Sequence, residues 1–216
     1  MLALNLSQSA TAPLKILCLG SHSDDIEIGC GGTILRLLSD FRSLDIVWIV
    51  FGASNERERE ARKSAALFLS QAGRKEVIVK SFRDGFFPFE GPEIKNYFEE
   101  LKGTSPDLIF THNRKDAHQD HRLIAELTWN TFRNHLILEY EIPKYDGDLG
   151  QPSLFVPLDQ EFYEKKIRYI MEAFDTQRAK RWFDKETFLA LMRLRGMECV
   201  APSGHAEAFY CRKLVL

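Results

Sequence analysis

The stretch Leu14-Lys15-Ile16-Leu17-Cys18-Leu19-Gly20-Ser21-His22-Ser23-Asp24-Asp25-Ile26-Glu27-Ile28-Gly29-Cys30-Gly31-Gly32 decides the fold. Residues 14–19 form an apolar run that reads as a strand. Polar residues then crowd into His22-Ser23-Asp24-Asp25. From Ile26 the spacing changes, and Ile28, Leu35, Leu38 and Phe41 fall at helical intervals, which predicts a helix over residues 26–41. A strand, a polar turn and an amphipathic helix make the opening of a βαβ unit, the building block of a parallel sheet.

The same alternation continues outward. Strands are expected over residues 45–51, 76–82, 107–111 and 136–142, and helices over 56–71, 93–102 and 121–132. Past Pro143 the pattern loosens: Asp146-Gly147-Asp148 and Gly150 mark a loop, residues 160–174 and 185–195 look helical, and 206–215 can close the fold as a last strand. No repeat or composition shift marks a linker. The expectation is an α/β fold, a Rossmann-like, mostly parallel sheet with helices on both faces, built as a single domain over residues 1–216, with 1–13 a flexible N-terminal extension.

Composition narrows the partners. Lys plus Arg total 29 and Asp plus Glu total 31, a net charge of −2, so no electrostatic argument favours nucleic acid or an anionic membrane. The longest wholly apolar run, residues 46–51, is far below the roughly 20 residues that span a bilayer. The first thirteen residues lack the features of a secretory signal, which points to the cytoplasm. Cys18, Cys30, Cys199 and Cys211 show no C-x-x-C spacing, and disulfides are not expected. Oligomeric state is open, homo-oligomerisation included.

The chemistry gathers in two places. Three of the six histidines lie in His112-Asn113-Arg114-Lys115-Asp116-Ala117-His118-Gln119-Asp120-His121, and a fourth is His22. Both clusters follow expected strands, the first and the fourth. In the strand order 3-2-1-4 these are neighbours whose connections leave in opposite directions, opening a crevice at their carboxyl ends. Imidazole and carboxylate together suit zinc, and His22, Asp25 and His121 supply the three protein ligands of a catalytic site with a position left for water. Asp24 is then placed to accept a proton from that water. A protonated His118 can stabilise an oxyanion, with Asp120 or Asp116 holding its ring. Arg57, close behind the second strand, can clamp a substrate oxygen.

Each residue also has a plainer reading. Asp24, Asp25 or Asp120 can cap a helix, and Glu27 can be a solvated first-turn carboxylate. Gly29-Cys30-Gly31-Gly32 lacks both the G-x-G-x-x-G spacing and the Walker lysine, so close helix packing is its expected use.

His22-Ser23-Asp24-Asp25-Ile26-Glu27 with Gly29-Cys30-Gly31-Gly32-Thr33 resembles the H-P-D-D-x-E segment of the PIG-L, or LmbE-like, zinc-dependent N-acetylglucosamine deacetylases. His112, Asp116, His118, Asp120 and His121 resemble that family's H-x-x-x-D-x-H-x-D-H motif. The helix bearing Arg57, the Asp84-Gly85 pair, Gln177 and Ala206-Glu207-Ala208-Phe209 also fit. The resemblance implies one zinc ion per chain on His22, Asp25 and His121, Asp24 as general base, His118 as oxyanion stabiliser and Asp120 as the residue that orients it. It places Arg57, Asp84 and His205 against the substrate. Two departures stand out: Ser23 replaces the family's proline, and His205 its usual tyrosine.

The resemblance implies hydrolysis of the acetamide of an N-acetylated amino sugar or its glycoconjugate. A metallo-β-lactamase-like hydrolase is the rival enzyme, since Asp116-x-His118-x-Asp120-His121 resembles H-x-H-x-D-H; it predicts a sandwich of two sheets. A non-catalytic sugar- or metal-binding module is the other alternative.

Overall fold

The computed structural model describes residues 12–215; most of the expected flexible extension therefore lies outside the described residues. The first strand, β1 (Leu14–His22), is followed by α1 (Asp25–Asp40), β2 (Leu44–Gly52), α2 (Asn55–Phe68) and β3 (Arg74–Val79). Then come α3 (Gly91–Leu101), β4 (Leu108–His112), α4 (Gln119–Thr131) and β5 (Leu136–Tyr140). The last part contains β6 (Leu154–Pro157), α5 (Gln160–Ala173), α6 (Lys185–Glu198) and β7 (Ala206–Cys211).

The strands form one sheet in the order β3-β2-β1-β4-β5-β7-β6. The first five are parallel, and β7 and β6 are antiparallel additions at one edge. Alternation along each strand builds two cores. Ile16 and Cys18 of β1, with Trp48 and Phe110, join the side chains of α1, α2, α5 and α6; Leu17 and Leu19, with Ile49, Phe51 and Ile109, join those of α3 and α4. This is a three-layer molecule around one sheet, so the two-sheet sandwich required by the metallo-β-lactamase-like alternative is not what this chain forms.

Most element ends shift by one to three residues from the sequence reading, and three differences change the sheet. β3 starts at Arg74 and ends at Val79, because the chain after it turns away and keeps only a bridge between Gly52 and Ser81. β6 lies within the stretch read as irregular; its four residues gain their ladder from β7, a partner far away in sequence. The last strand stops at Cys211. The glycines of α1 do what was expected of them: a Cβ at Gly29 would stand 2.2 Å from the Tyr140 ring, and one at Gly31 2.6 Å from Phe68. The same gap admits Glu207 of β7, which accepts from the Gly32 and Thr33 N–H groups at 2.8 and 2.6 Å, while Lys166 of α5 donates to Glu207 and to the Ile28 carbonyl. The four cysteines are free thiols.

Candidate metal centre

β1 and β4 lie side by side and both end in a histidine, His22 and His112. Their onward chains enter α1 and α4 on opposite faces of the sheet, so the two polar clusters meet at the strand ends. Locally, the His22 N–H donates to Asp25 Oδ2 at 2.6 Å and tightens the turn. Ser23, where a proline was expected, accepts from Arg57 Nε at 2.9 Å, a hydrogen bond in place of a stiff ring.

The donor atoms converge. His22 Nδ1 lies 3.2 Å from His121 Nε2 and 3.4 Å from Asp25 Oδ2, and Asp25 Oδ1 is 3.5 Å from His121 Nε2. Ligand bonds of about 2.0–2.1 Å in tetrahedral array separate neighbouring donors by roughly 3.3 Å, so the set fits zinc. The far nitrogens are also held by carboxylates: His22 Nε2 lies 3.1 Å from Asp120 Oδ2 and 3.1 Å from Asp84 Oδ1, and His121 Nδ1 lies 3.0 Å from Asp116 Oδ2. Protons on these far nitrogens leave two lone pairs aimed at one point beside a carboxylate, the arrangement by which a carboxylate fixes the tautomer of a ligating imidazole.

Electrostatics agree. Burial disfavours the His22 imidazolium, yet hydrogen bonds to Asp120, Asp25 and Asp84 outweigh it and raise its pKa well above the usual value. The pocket therefore favours positive charge. Burial and the adjacent His112 push the His121 pKa down to about 4, which keeps its lone pair free. Burial opposes ionisation of Asp25, but His121 and His112 prevail and hold it well below the ordinary carboxylate range.

Asp24 occupies the N-cap position of α1 without making a side-chain cap bond. Its Oδ1 takes Arg57 Nη2 at 3.0 Å and its buried Oδ2 has no hydrogen-bond partner. Burial, opposed by Arg57, raises its pKa, which suits a group that must take up a proton. Arg57 also reaches towards Asp84, whose half-exposed carboxylate stands at the mouth and is drawn down to about 2, chiefly by its hydrogen bond with His22.

His118 caps α4: its Nδ1 accepts the Asp120 backbone N–H at 3.2 Å. An Nδ1 that accepts leaves the proton on Nε2, so the neutral ring already carries a donor. Burial and the neighbouring His22 lower its pKa, which favours the neutral ring with its Nε2–H donor over the imidazolium expected from the sequence. Asp120 also differs from expectation. Only its backbone touches His118; its carboxylate accepts from the Gly85 and Phe87 N–H groups at 2.7 and 3.1 Å and faces His22. From the first turn of α4 that side chain reaches the loop after β3, so it orients a candidate metal ligand.

His205 is not brought to the centre. Among the described residues its ring packs on Tyr163 at 4.0 Å and its Nδ1 meets the Ser203 carbonyl, because the antiparallel course of β7 places its start against α5. Glu27, open to reading as a solvated carboxylate, is fully buried and raised well above its ordinary pKa by burial. Sequence reasoning gave His112 no role, yet its ring stacks on His121 at 3.9 Å and its Nε2 accepts the Ser21 N–H. Its place at the end of β4, matching His22 at the end of β1, was the available signal.

Residues 17–132 match the family model PIG-L, GlcNAc-PI de-N-acetylase. The uncharacterized deacetylase YaiS of Escherichia coli is 26% identical over 174 residues, covering 75% of this chain and 91% of that protein. The N,N'-diacetylchitobiose deacetylase of Pyrococcus horikoshii shares the fold with a TM-score of 0.70 at 20% identity, covering 91% of this chain and 82% of that one. GalB of Pseudomonas putida, a 4-carboxy-2-hydroxymuconate hydratase, also superposes with a TM-score of 0.70 at 14% identity over 94% and 97% of the two chains. Different chemistries thus use this fold, and the side chains must decide.

Proposed function

The chain belongs to the PIG-L, GlcNAc-PI de-N-acetylase, family, and from that premise we propose that it is a zinc-dependent hydrolase removing acetyl from the nitrogen of an N-acetylated amino sugar or its glycoconjugate. The observation that carries this is the convergence of His22 Nδ1, His121 Nε2 and the Asp25 carboxylate beside Asp24 Oδ2, a buried oxygen with no partner.

His22, Asp25 and His121 would hold one zinc ion. When bound, zinc supplies Lewis-acid polarisation and lowers the pKa of water. The remaining work falls to the chain. Asp24 Oδ2 takes a proton from the attacking water, with Arg57 fixing the carboxylate through Oδ1. As the water oxygen bonds to the acetyl carbon, His118 Nε2–H donates to the oxygen that gains charge. The proton held by Asp24 then passes to the amide nitrogen as the carbon–nitrogen bond breaks, leaving acetate and a free amine. Arg57 and Asp84, at the mouth, offer a donor and an acceptor to sugar hydroxyls. Among the described residues no helix is long and apolar enough to cross a membrane.

A panel of N-acetylhexosamine conjugates, assayed for acetate with zinc-loaded and chelator-stripped protein, tests the reading. Release of acetate and amine in equal amounts, lost on stripping and restored by zinc, is expected. Zinc binding with no acetate from any member would leave the non-catalytic module as the better description.

A further inference from the structure

The loop after β5 grips the second cluster from outside. Lys144, nine-tenths buried, places Nζ 3.1 Å from Asp116 Oδ2, the same oxygen that faces His121 Nδ1 at 3.0 Å. One turn on, Asp148 accepts Lys144 Nζ on both carboxylate oxygens at 2.7 and 2.6 Å, and its Oδ2 also accepts the Ala117 N–H at 2.7 Å. Asp116 Oδ1 is engaged too, by the His118 N–H at 2.8 Å. The segment 116–118 is thus held on both sides, by a cation on the Asp116 side chain and a carboxylate on the next peptide.

We propose that Lys144, braced by Asp148, is a positioning residue of the metal centre that acts on His121 through Asp116. A carboxylate buried against an imidazole can hold it in either of two ways, by accepting the Nδ1 proton or by turning away to find another donor. Lys144 removes the second choice, because its ammonium pins Oδ2 where the imidazole needs it. With Oδ2 held there it faces His121 Nδ1, and the ring keeps its Nε2 turned towards His22 and Asp25. The chain supplies a reason for a lysine here: a buried ammonium is costly unless paired, and two carboxylates pair it.

This inference rests on His121 being a zinc ligand, and the test separates the two. Zinc affinity is measured by competition with a chromogenic chelator on full-length wild-type, Lys144→Met, Lys144→Arg, Asp116→Asn and Lys144→Met/Asp116→Asn proteins, each checked for folding by circular dichroism. Outer-shell partners are worth about 10- to 100-fold in metal affinity; Lys144→Met should lose roughly 10-fold, the lower end of that range, and Lys144→Arg should recover most of it. In the Asp116→Asn background Lys144→Met should add almost nothing, since its route to His121 is already cut. Asp148→Asn, which loosens the brace without touching Asp116, should weaken binding in the same direction. Unchanged affinity in folded Lys144→Met, or an equal loss with and without Asp116, overturns the proposal. Absence of zinc affinity in the wild-type chain overturns the metal reading and this inference with it.

Discussion

In the proposed reaction Asp24 carries the proton and His118 stabilises the oxyanion, and each makes a prediction. Asp24 touches no candidate zinc donor atom except through the shared turn, so Asp24→Asn should keep zinc within a few-fold while kcat/KM falls by roughly two to four orders of magnitude. Loss of zinc in that variant would mean that Asp24 and Asp25 have exchanged roles. For His118 the sign of the pH effect follows from its cap. Burial and His22 lower its pKa, and a bound zinc cation pushes in the same direction, so the ring is neutral at and above neutral pH. Its protonation, at Nδ1, would also break the bond to the Asp120 N–H. Any loss of activity from titrating His118 therefore lies on the acid side, below its ordinary value of about 6.5. The alkaline limb of kcat/KM should be the same in His118→Gln, at a reduced rate; a limb that disappears in the variant would restore the imidazolium mechanism.

At the scale of elements, α1 carries the site at its first turn and is set in place by its glycine face. Gly29 has the Tyr140 ring against it, and that tyrosine is fixed by donation to the Leu19 carbonyl at 2.7 Å, so the ring has little room to retreat. Gly29→Ala should cost about 1–3 kcal/mol or more, the usual scale of overpacking, seen as a lower urea midpoint at constant m. Gly73→Ala, where a methyl group meets nothing within 4 Å, should change stability by no more than about 0.5 kcal/mol in either direction. Equal effects from the two would show that α1 adjusts freely and that its packing does not hold the site.

For the whole molecule, the donors come from the ends of two different strands, His22 and Asp25 after β1 and His121 after β4, so an ion bound there ties distant segments of chain together. Unfolding would separate them, and zinc should stabilise by mass action, by about 2.7 kcal/mol at a hundredfold excess over Kd. For a chain of this size that is roughly 5–10 °C in Tm. Thermal unfolding in chelator and in zinc measures it, and the His121→Ala protein should show most of the increase gone. A full increase in that variant would move the site away from His121.

Much of this was legible in the chain because it is local. The alternation of apolar runs and helical spacings is a property of contiguous residues, so the elements could be read from the sequence, while the strand order β3-β2-β1-β4, on which the meeting of the His22 and His112–His121 clusters depends, came from the doubly wound class those elements imply. The glycine face of α1 could be read for the same reason. What the tertiary structure decided depends on partners far apart in sequence: Asp120 turning to His22 because the loop after β3 offers it two N–H groups, Lys144 reaching Asp116, β6 forming only because β7 lies beside it, and His205 seated on Tyr163. Spacing along a chain says which face or turn a side chain occupies. It does not say which carboxylate a given ring nitrogen will meet, since that choice is made by packing among elements the local pattern does not know.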